Sequence, residues 1–88
     1  MTPYARLVAL CRAYHDSDAC PVRFAPGQLE GYLSIFPKAA ARAVAPADMP
    51  AFARQLVHWL FAEICGQPRS TWRYRARVAD LAGVWGLN

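Results

Sequence analysis

The sequence predicts an all-α fold, a small single-domain bundle of four or five short helices around a central apolar helix at about residues 49–65. Three observations support this. Apolar residues recur every three or four positions along most of the chain, which is the period of an amphipathic helix. Proline and glycine divide the chain into segments of helix length. The 88 residues, 56% of them hydrophobic, suit one folded domain at 1–88 and are too apolar for a disordered chain.

The first helix is predicted to begin after Thr2, which suits the N-cap position and is followed by Pro3 at the first helical position. Its apolar stripe consists of Tyr4, Leu7, Val8, Cys11 and Tyr14. Arg12 and Asp16 have the spacing of an i, i+4 ion pair. We expect the helix to end within HDSD at 15–18.

An extended connector is predicted for ACPVRFAPG at 19–27, because each proline disfavours helical backbone in the residue before it. Within the connector, Val22 and Phe24 are expected to point inward. A second helix should then run from about Pro26 to Phe36. Its inward stripe consists of Leu29, Tyr32, Leu33 and Phe36.

Pro37 marks either a break or the first turn of a further helix through KAAARAV at 38–44. The alanines of this segment favour a helix, although they have no large side chains to pack. We therefore predict a helix here.

The central helix at about 49–65 is the most apolar segment of the chain. Asp48 is its expected N-cap, with Pro50 in the first turn, and Gly66 and Pro68 should end it. One face carries Phe52, Leu56, Trp59 and Leu60, and Val57, Phe61 and Ile64 extend that face. The polar strip is narrow: Arg54, Gln55, His58 and Glu63. A helix that is apolar on most sides is typical of the centre of a core or of half of a homodimer interface.

The alternation of apolar and basic residues in RSTWRYRARV at 69–78 fits both the two-residue period of a strand and the 3.6-residue period of a helix. As a strand, the segment would place its aromatic residues on one side and Arg73, Arg75 and Arg77 on the other. As a helix capped by Ser70, it would form an apolar stripe of Tyr74, Val78, Leu81 and Trp85. The helix is favoured because it accounts for four large apolar residues over three turns.

The same segment carries the candidate partner-binding residues, which are Arg69, Trp72, Arg73, Arg75 and Arg77. In a helix, Arg69, Arg73 and Arg77 follow one another at intervals of four. Arginine and tryptophan are enriched at binding hot spots, and the net charge of +4 favours acidic partners.

These features predict a small non-enzymatic interaction protein, an adaptor or inhibitor of bacterial or phage type. It would dock on a partner protein or a protein–nucleic-acid complex through its basic arginine–aromatic face. One alternative is a regulator that binds DNA or RNA directly through the 69–77 cluster, where arginines contact phosphates and rings stack on bases. Another is a self-assembling helical unit.

No spacing of residues predicts catalysis or a cofactor. Cys11 and His15 are four residues apart, and Cys20 follows, with Cys65 or His58 as an imaginable fourth metal ligand. The paired CxxC spacing typical of zinc sites is absent, so we expect no metal. His58 is expected to be a half-buried structural residue and the protein to have no enzymatic activity.

The sequence predicts a cytoplasmic protein with reduced cysteines and no membrane contact. Arg6 and Arg12 interrupt any apolar stretch of a signal peptide near the N-terminus. The most apolar stretch, at 49–66, contains Arg54, His58 and Glu63 and is short for a membrane span.

One resemblance is confined to RVADLAGVWGLN at 77–88, which resembles the first helix and turn of a bacterial helix-turn-helix. In that family, the next helix enters the major groove and reads the bases. Since such a helix would begin where this sequence ends, the resemblance does not imply DNA reading by these residues.

Overall fold

A computed structural model describes residues 1–64 and 71–84 of the chain. The described residues form five α-helices: α1 (Pro3–Asp16), α2 (Gln28–Ser34), α3 (Lys38–Ala43), α4 (Met49–Trp59) and α5 (Thr71–Val84). A 3-10 turn, Pro46–Asp48, leads into α4, and a π-helical turn, Leu60–Ile64, follows it. Neither described range contains a strand, and the predicted small all-α bundle is confirmed.

Helix α1 has the predicted start and end. The hydroxyl of Thr2 accepts a hydrogen bond from the Ala5 N–H at 3.0 Å and so caps the first turn. At the other end, the Ser17 hydroxyl donates to the Tyr14 carbonyl at 2.6 Å. Leu7 and Cys11 of the predicted stripe are completely buried.

The predicted ion pair between Arg12 and Asp16 does not form. Arg12 Nε instead lies 3.7 Å from Glu30 Oε1 on α2, and Asp16 Oδ1 lies 3.2 Å from Nδ1 of the neighbouring His15. An arginine that precedes its acidic partner by four residues is the less favourable order on a helix. Arg12 therefore links two helices rather than two turns of one helix.

The connector and α2 follow the prediction, except that α2 is shorter. Phe24 is buried and Val22 is half-buried, so both point inward as expected. Gly27 has a left-handed backbone with φ of 78°, so α2 begins at Gln28 rather than at Pro26. The predicted inward stripe is buried throughout: Leu29, Tyr32, Leu33 and Phe36. Pro37 separates α2 from α3 and occupies the N-cap position of α3.

Helix α4 lies in the core, as predicted. Its buried residues are Met49, Phe52, Ala53, Leu56 and Val57. Leu60, in the π-helical turn, is also buried. Helix α1 packs against α4 through two polar contacts: the Cys11 thiol donates to the Ala53 carbonyl at 3.6 Å, and the Tyr14 hydroxyl lies 2.6 Å from Nε2 of His58.

The end of the central helix departs from the predicted regular helix over 49–65. The backbone widens into a π-helical turn at Leu60, and Phe61 remains 37% exposed although its ring packs edge-on against Phe24. Because a π-helical turn contains an extra residue, it shifts the following side chains around the helix axis. The predicted contribution of Ile64 to the apolar face and the predicted stop at Gly66 and Pro68 lie outside the described residues.

Asp48 occupies the predicted N-cap position of α4, but its side chain makes no capping hydrogen bond. The 3-10 turn before the helix gives Asp48 φ and ψ values of −89° and −11°. A capping side chain normally needs extended backbone at this position to reach back to the first turn. The helix is entered instead through the hydrogen bond from the Asp48 N–H to the Ala45 carbonyl, at 2.9 Å.

Candidate docking surface

The structure of α5 distinguishes the strand and helix interpretations of the arginine-rich segment. Residues Thr71–Val84 are α-helical, so the strand interpretation is wrong. Tyr74, Val78 and Leu81 are all buried, at 3, 5 and 5% exposure, and their spacing defines one inward stripe. The predicted cap Ser70 and the predicted fourth stripe residue Trp85 lie outside the described residues.

Tyr74 anchors α5 to α2. Its hydroxyl donates a hydrogen bond to the Tyr32 carbonyl at 2.8 Å, and its ring lies parallel to that of Tyr32 with centroids 6.4 Å apart. Burial raises the pKa of Tyr74, and the nearby Tyr4, Cys11 and Tyr32 raise it further. The phenol thus stays protonated as a donor, and this contact fixes the rotation of α5 about its axis.

The side of α5 away from the core carries small and charged residues. Its exposed positions include Ala76, Arg77, Ala79, Asp80 and Gly83. Nη1 of Arg77 lies 3.7 Å from Oδ2 of Asp80, with the two side chains 48 and 74% exposed. An ion pair with this exposure contributes little to stability.

Four of the five predicted binding positions, 72, 73, 75 and 77, belong to α5. Arg77 is exposed on the helix. Positions 72, 73 and 75 belong to the first two turns of α5, and position 73 is one helical turn before Arg77. The side chains of Trp72, Arg73 and Arg75, and all of Arg69, lie outside the described residues.

The cysteine and histidine donors considered for a metal site each have a separate contact. The Cys11 thiol is buried in the α1–α4 contact, and this burial raises its pKa to about 12. The Cys20 thiol donates to the Val22 carbonyl at 3.3 Å, and Nε2 of His15 accepts from the Phe24 N–H at 3.1 Å. Nowhere in 1–64 or 71–84 do three potential ligands among His, Cys, Asp and Glu come together.

His58 is half-buried and bound to Tyr14, as expected for a structural histidine. The two rings are tilted, with centroids 5.6 Å apart. Partial desolvation raises the pKa of the Tyr14 phenol, followed by the effect of the Cys20 thiol, whereas Arg54 lowers it. Cys65, the other group considered beside His58, lies outside the described residues.

Arg23 has a role that was not predicted from the sequence. Its guanidinium donates to the carbonyls of His15 and Ser17 at the end of α1, the latter at 3.0 Å. A cation at this place satisfies helix carbonyls and complements the negative end of the helix dipole. The connector folds back to make this contact, and no local pattern around Arg23 indicates it.

Within the described ranges, no helix combines the length and the hydropathy that a membrane crossing requires.

The chain matches no protein-family model, no curated protein and no solved structure. Its function must therefore be inferred from its own residues.

Proposed function

We propose that the protein is a small non-enzymatic binding module, an adaptor or inhibitor of bacterial or phage type. It docks on a partner protein or a protein–nucleic-acid complex through the α5 arginine surface, which we define as Arg69, Trp72, Arg73, Arg75 and Arg77. The observation that carries the proposal is the division of α5 into two sides. Tyr74, Val78 and Leu81 are buried in the bundle, while Arg77 remains exposed on the same helix.

Two features favour a protein partner over a bare nucleic acid. The ring of Tyr74 is buried against Tyr32, so it cannot stack on a base while α5 stays in place. The carboxylate of Asp80 lies beside Arg77, where it weakens attraction to phosphate. A protein surface that offers both carboxylates and donors can pair with this mixture of charges.

We also place this module in the cytoplasm. Cys11 and Cys20 are both free thiols, and each is buried with a backbone carbonyl as its partner. Free buried thiols are compatible with a reducing compartment.

The α5 arginine surface is tested by Arg73→Glu combined with Arg77→Glu. We expect the double variant to keep the helical circular dichroism of the wild type and to lose at least about tenfold in partner capture, because attraction becomes repulsion at two positions. The readout is quantitative affinity capture from lysate of the source cells.

A matched pair of single variants separates the effect of the position of a charge from the effect of the net charge on partner capture. Arg77→Glu and Arg54→Glu each reverse one exposed arginine on a helix and each change the formal charge from +4 to +2. Only Arg77→Glu should weaken capture. Equal capture by the double variant and the wild type would mean that the arginines only solvate the helix.

Direct nucleic-acid binding and self-assembly are separated from this proposal by two measurements. Binding to duplex or single-stranded DNA that falls steeply with salt would favour the regulator, since counterion release governs such binding. Sedimentation at high protein concentration should show a monomer. A dimer sensitive to substitution of the exposed Phe61 would instead favour assembly through the central helix.

A further inference from the structure

Helices α1 and α2 leave a groove of about 470 Å³ between them. Its floor is apolar and consists of Tyr4, Ala5, Val8 and Ala9 from α1 and Leu33 from α2. The residues α5 buries against the bundle do not line it. Arg77, whose side chain is described, does not line it either.

Two contacts between the helices lie at the two ends of the groove. The Tyr4 hydroxyl donates to the Leu33 carbonyl at one end, and Arg12 lies 3.7 Å from Glu30 at the other. Between these contacts, Ala5 and Ala9 are exposed and have side chains too short to fill the space between the helices. The space between these two contacts is therefore not filled by the side chains that line it.

Positive charge is present at both ends. Lys38 and Arg42 line an adjoining cavity of about 210 Å³ that shares Tyr4 with the groove, and Lys38 Nζ lies 5.6 Å from the centre of the Tyr4 ring. Arg12 is at the opposite end, half-exposed beside Glu30. Among the described residues, no carboxylate pairs with Lys38 or Arg42. Three cations therefore face one carboxylate around an apolar floor.

The length and composition of the groove indicate its occupant. From Tyr4 to Arg12, α1 rises by about 12 Å, which corresponds to two turns of helix. The remaining floor residues are aliphatic, and Lys38 already covers the one aromatic ring, so the groove is a poor platform for bases. An apolar trough between two helices suits the apolar face of a third helix.

We propose that this groove binds an acidic amphipathic helix of a partner protein. Two apolar side chains of that helix, one turn apart, cover Val8 and the exposed Ala5 and Ala9. Its flanking carboxylates pair with Arg12 at one end and with Lys38 and Arg42 at the other. This proposal does not rest on the role of the α5 arginine surface.

The probe is a fluorescein-labelled, alanine-rich helical peptide with two leucines one turn apart and one glutamate beyond each leucine on the same face. We expect saturable binding to the full chain by fluorescence anisotropy. A second peptide with glutamine in place of both glutamates should bind about tenfold more weakly. Equal binding of the two peptides, or no saturation up to about 1 mM, would overturn the proposal.

Two pairs of protein variants place the peptide in the groove. Ala9→Gln fills the floor, and its control Ala13→Gln makes the same change at an exposed position of α1 that does not line the groove. Lys38→Glu, alone or with Arg42→Glu, reverses the charge at one end, and Arg54→Glu is the control that matches the change in net charge of the single variant elsewhere. Only the first member of each pair should weaken binding, by about tenfold. Circular dichroism confirms that each variant is folded.

Other occupants give different results. Self-association that Ala9→Gln abolishes would assign the groove to a second copy of the chain. If single-stranded DNA competes with the peptide, and the Lys38→Glu, Arg42→Glu variant no longer binds this DNA, the groove would be assigned to nucleic acid. Either result overturns the acidic-helix proposal. Neither affects the test of the α5 arginine surface, which measures partner capture by the Arg73→Glu, Arg77→Glu variant.

Discussion

Two tyrosine hydroxyls bind the carboxyl end of α2. Tyr74 on α5 donates to the carbonyl of Tyr32, and Tyr4 on α1 donates to the carbonyl of Leu33, the next residue. The last carbonyls of a helix lack their regular partner four residues on. Here the Tyr32 and Leu33 carbonyls accept from the N–H groups of Ile35 and Phe36, at 3.4 and 3.1 Å, and each phenol adds a second donor. At the scale of single residues, these two phenols join three helices.

Tyr74→Phe should lower the free energy of unfolding by about 0.5–1.5 kcal/mol, because it removes a buried hydrogen bond and leaves the Tyr32 carbonyl only the longer bond from the Ile35 N–H, at 3.4 Å. Tyr4→Phe removes the equivalent hydroxyl from a partly exposed place, where water can replace it, and should cost less. Urea unfolding followed by circular dichroism measures both values. An equal cost for the two variants would contradict the importance of burial.

At the scale of the element, α1 has side-chain hydrogen bonds at both of its ends. Thr2 caps its first turn, and Ser17 and Arg23 bind its last carbonyls. The two ends differ in how they arise. Thr2 is local and visible in the sequence, whereas Arg23 reaches α1 only because the connector folds back.

Replacement of the N-cap tests the first of these ends. Thr2→Ala should destabilise the protein by about 0.5–2 kcal/mol, since the Ala5 N–H loses its acceptor. Thr2→Ser keeps an oxygen at the same place and should remain within a few tenths of a kcal/mol of the wild type. The midpoint of urea unfolding distinguishes them, and an equal loss in the serine variant would exclude capping as the cause.

At the scale of the whole molecule, the core of the described residues is apolar, and two of its groups, Cys11 and Tyr74, have a raised pKa. No charged side chain is buried among the described residues. Burial raises the pKa of Cys11 from 9.0 to about 12 and raises that of Tyr74 above its ordinary value of 10.0. The folded protein therefore keeps protons that the unfolded chain would release.

This difference predicts alkaline destabilisation. The stability contributed by these groups is fully present below about pH 9 and is lost as pH rises from there toward the folded pKa of Cys11, about 12. Each group contributes a slope of at most about 1.4 kcal/mol per pH unit. Urea unfolding at pH values between about 8 and about 11 measures the slope. Cys11→Ala should be less stable than the wild type at every pH, but its free energy of unfolding should fall less steeply with pH. An unchanged slope would contradict a role for this thiol.

Sequence pattern alone predicted the helices with strong stripes. The inward residues of α2 and α5 are buried as expected, because a helix with one apolar side has only one way to face a core. Among the predicted binding residues, the exposed position of Arg77 follows from the same period. The strand alternative for 72–78 is wrong because Thr71–Val84 is helical, and the described residues contain no second strand to pair with it.

The sequence by itself determined the fold class, the burial of Tyr74 and Val78, and the cap at Thr2, since each depends on neighbours within a few turns of the chain. Only the tertiary structure decided that Arg12 pairs with Glu30, that Arg23 binds the end of α1, and that α1 and α2 leave a groove. These features depend on how separate helices are placed in space. No local period or propensity encodes that placement, because it follows from the packing of the whole core.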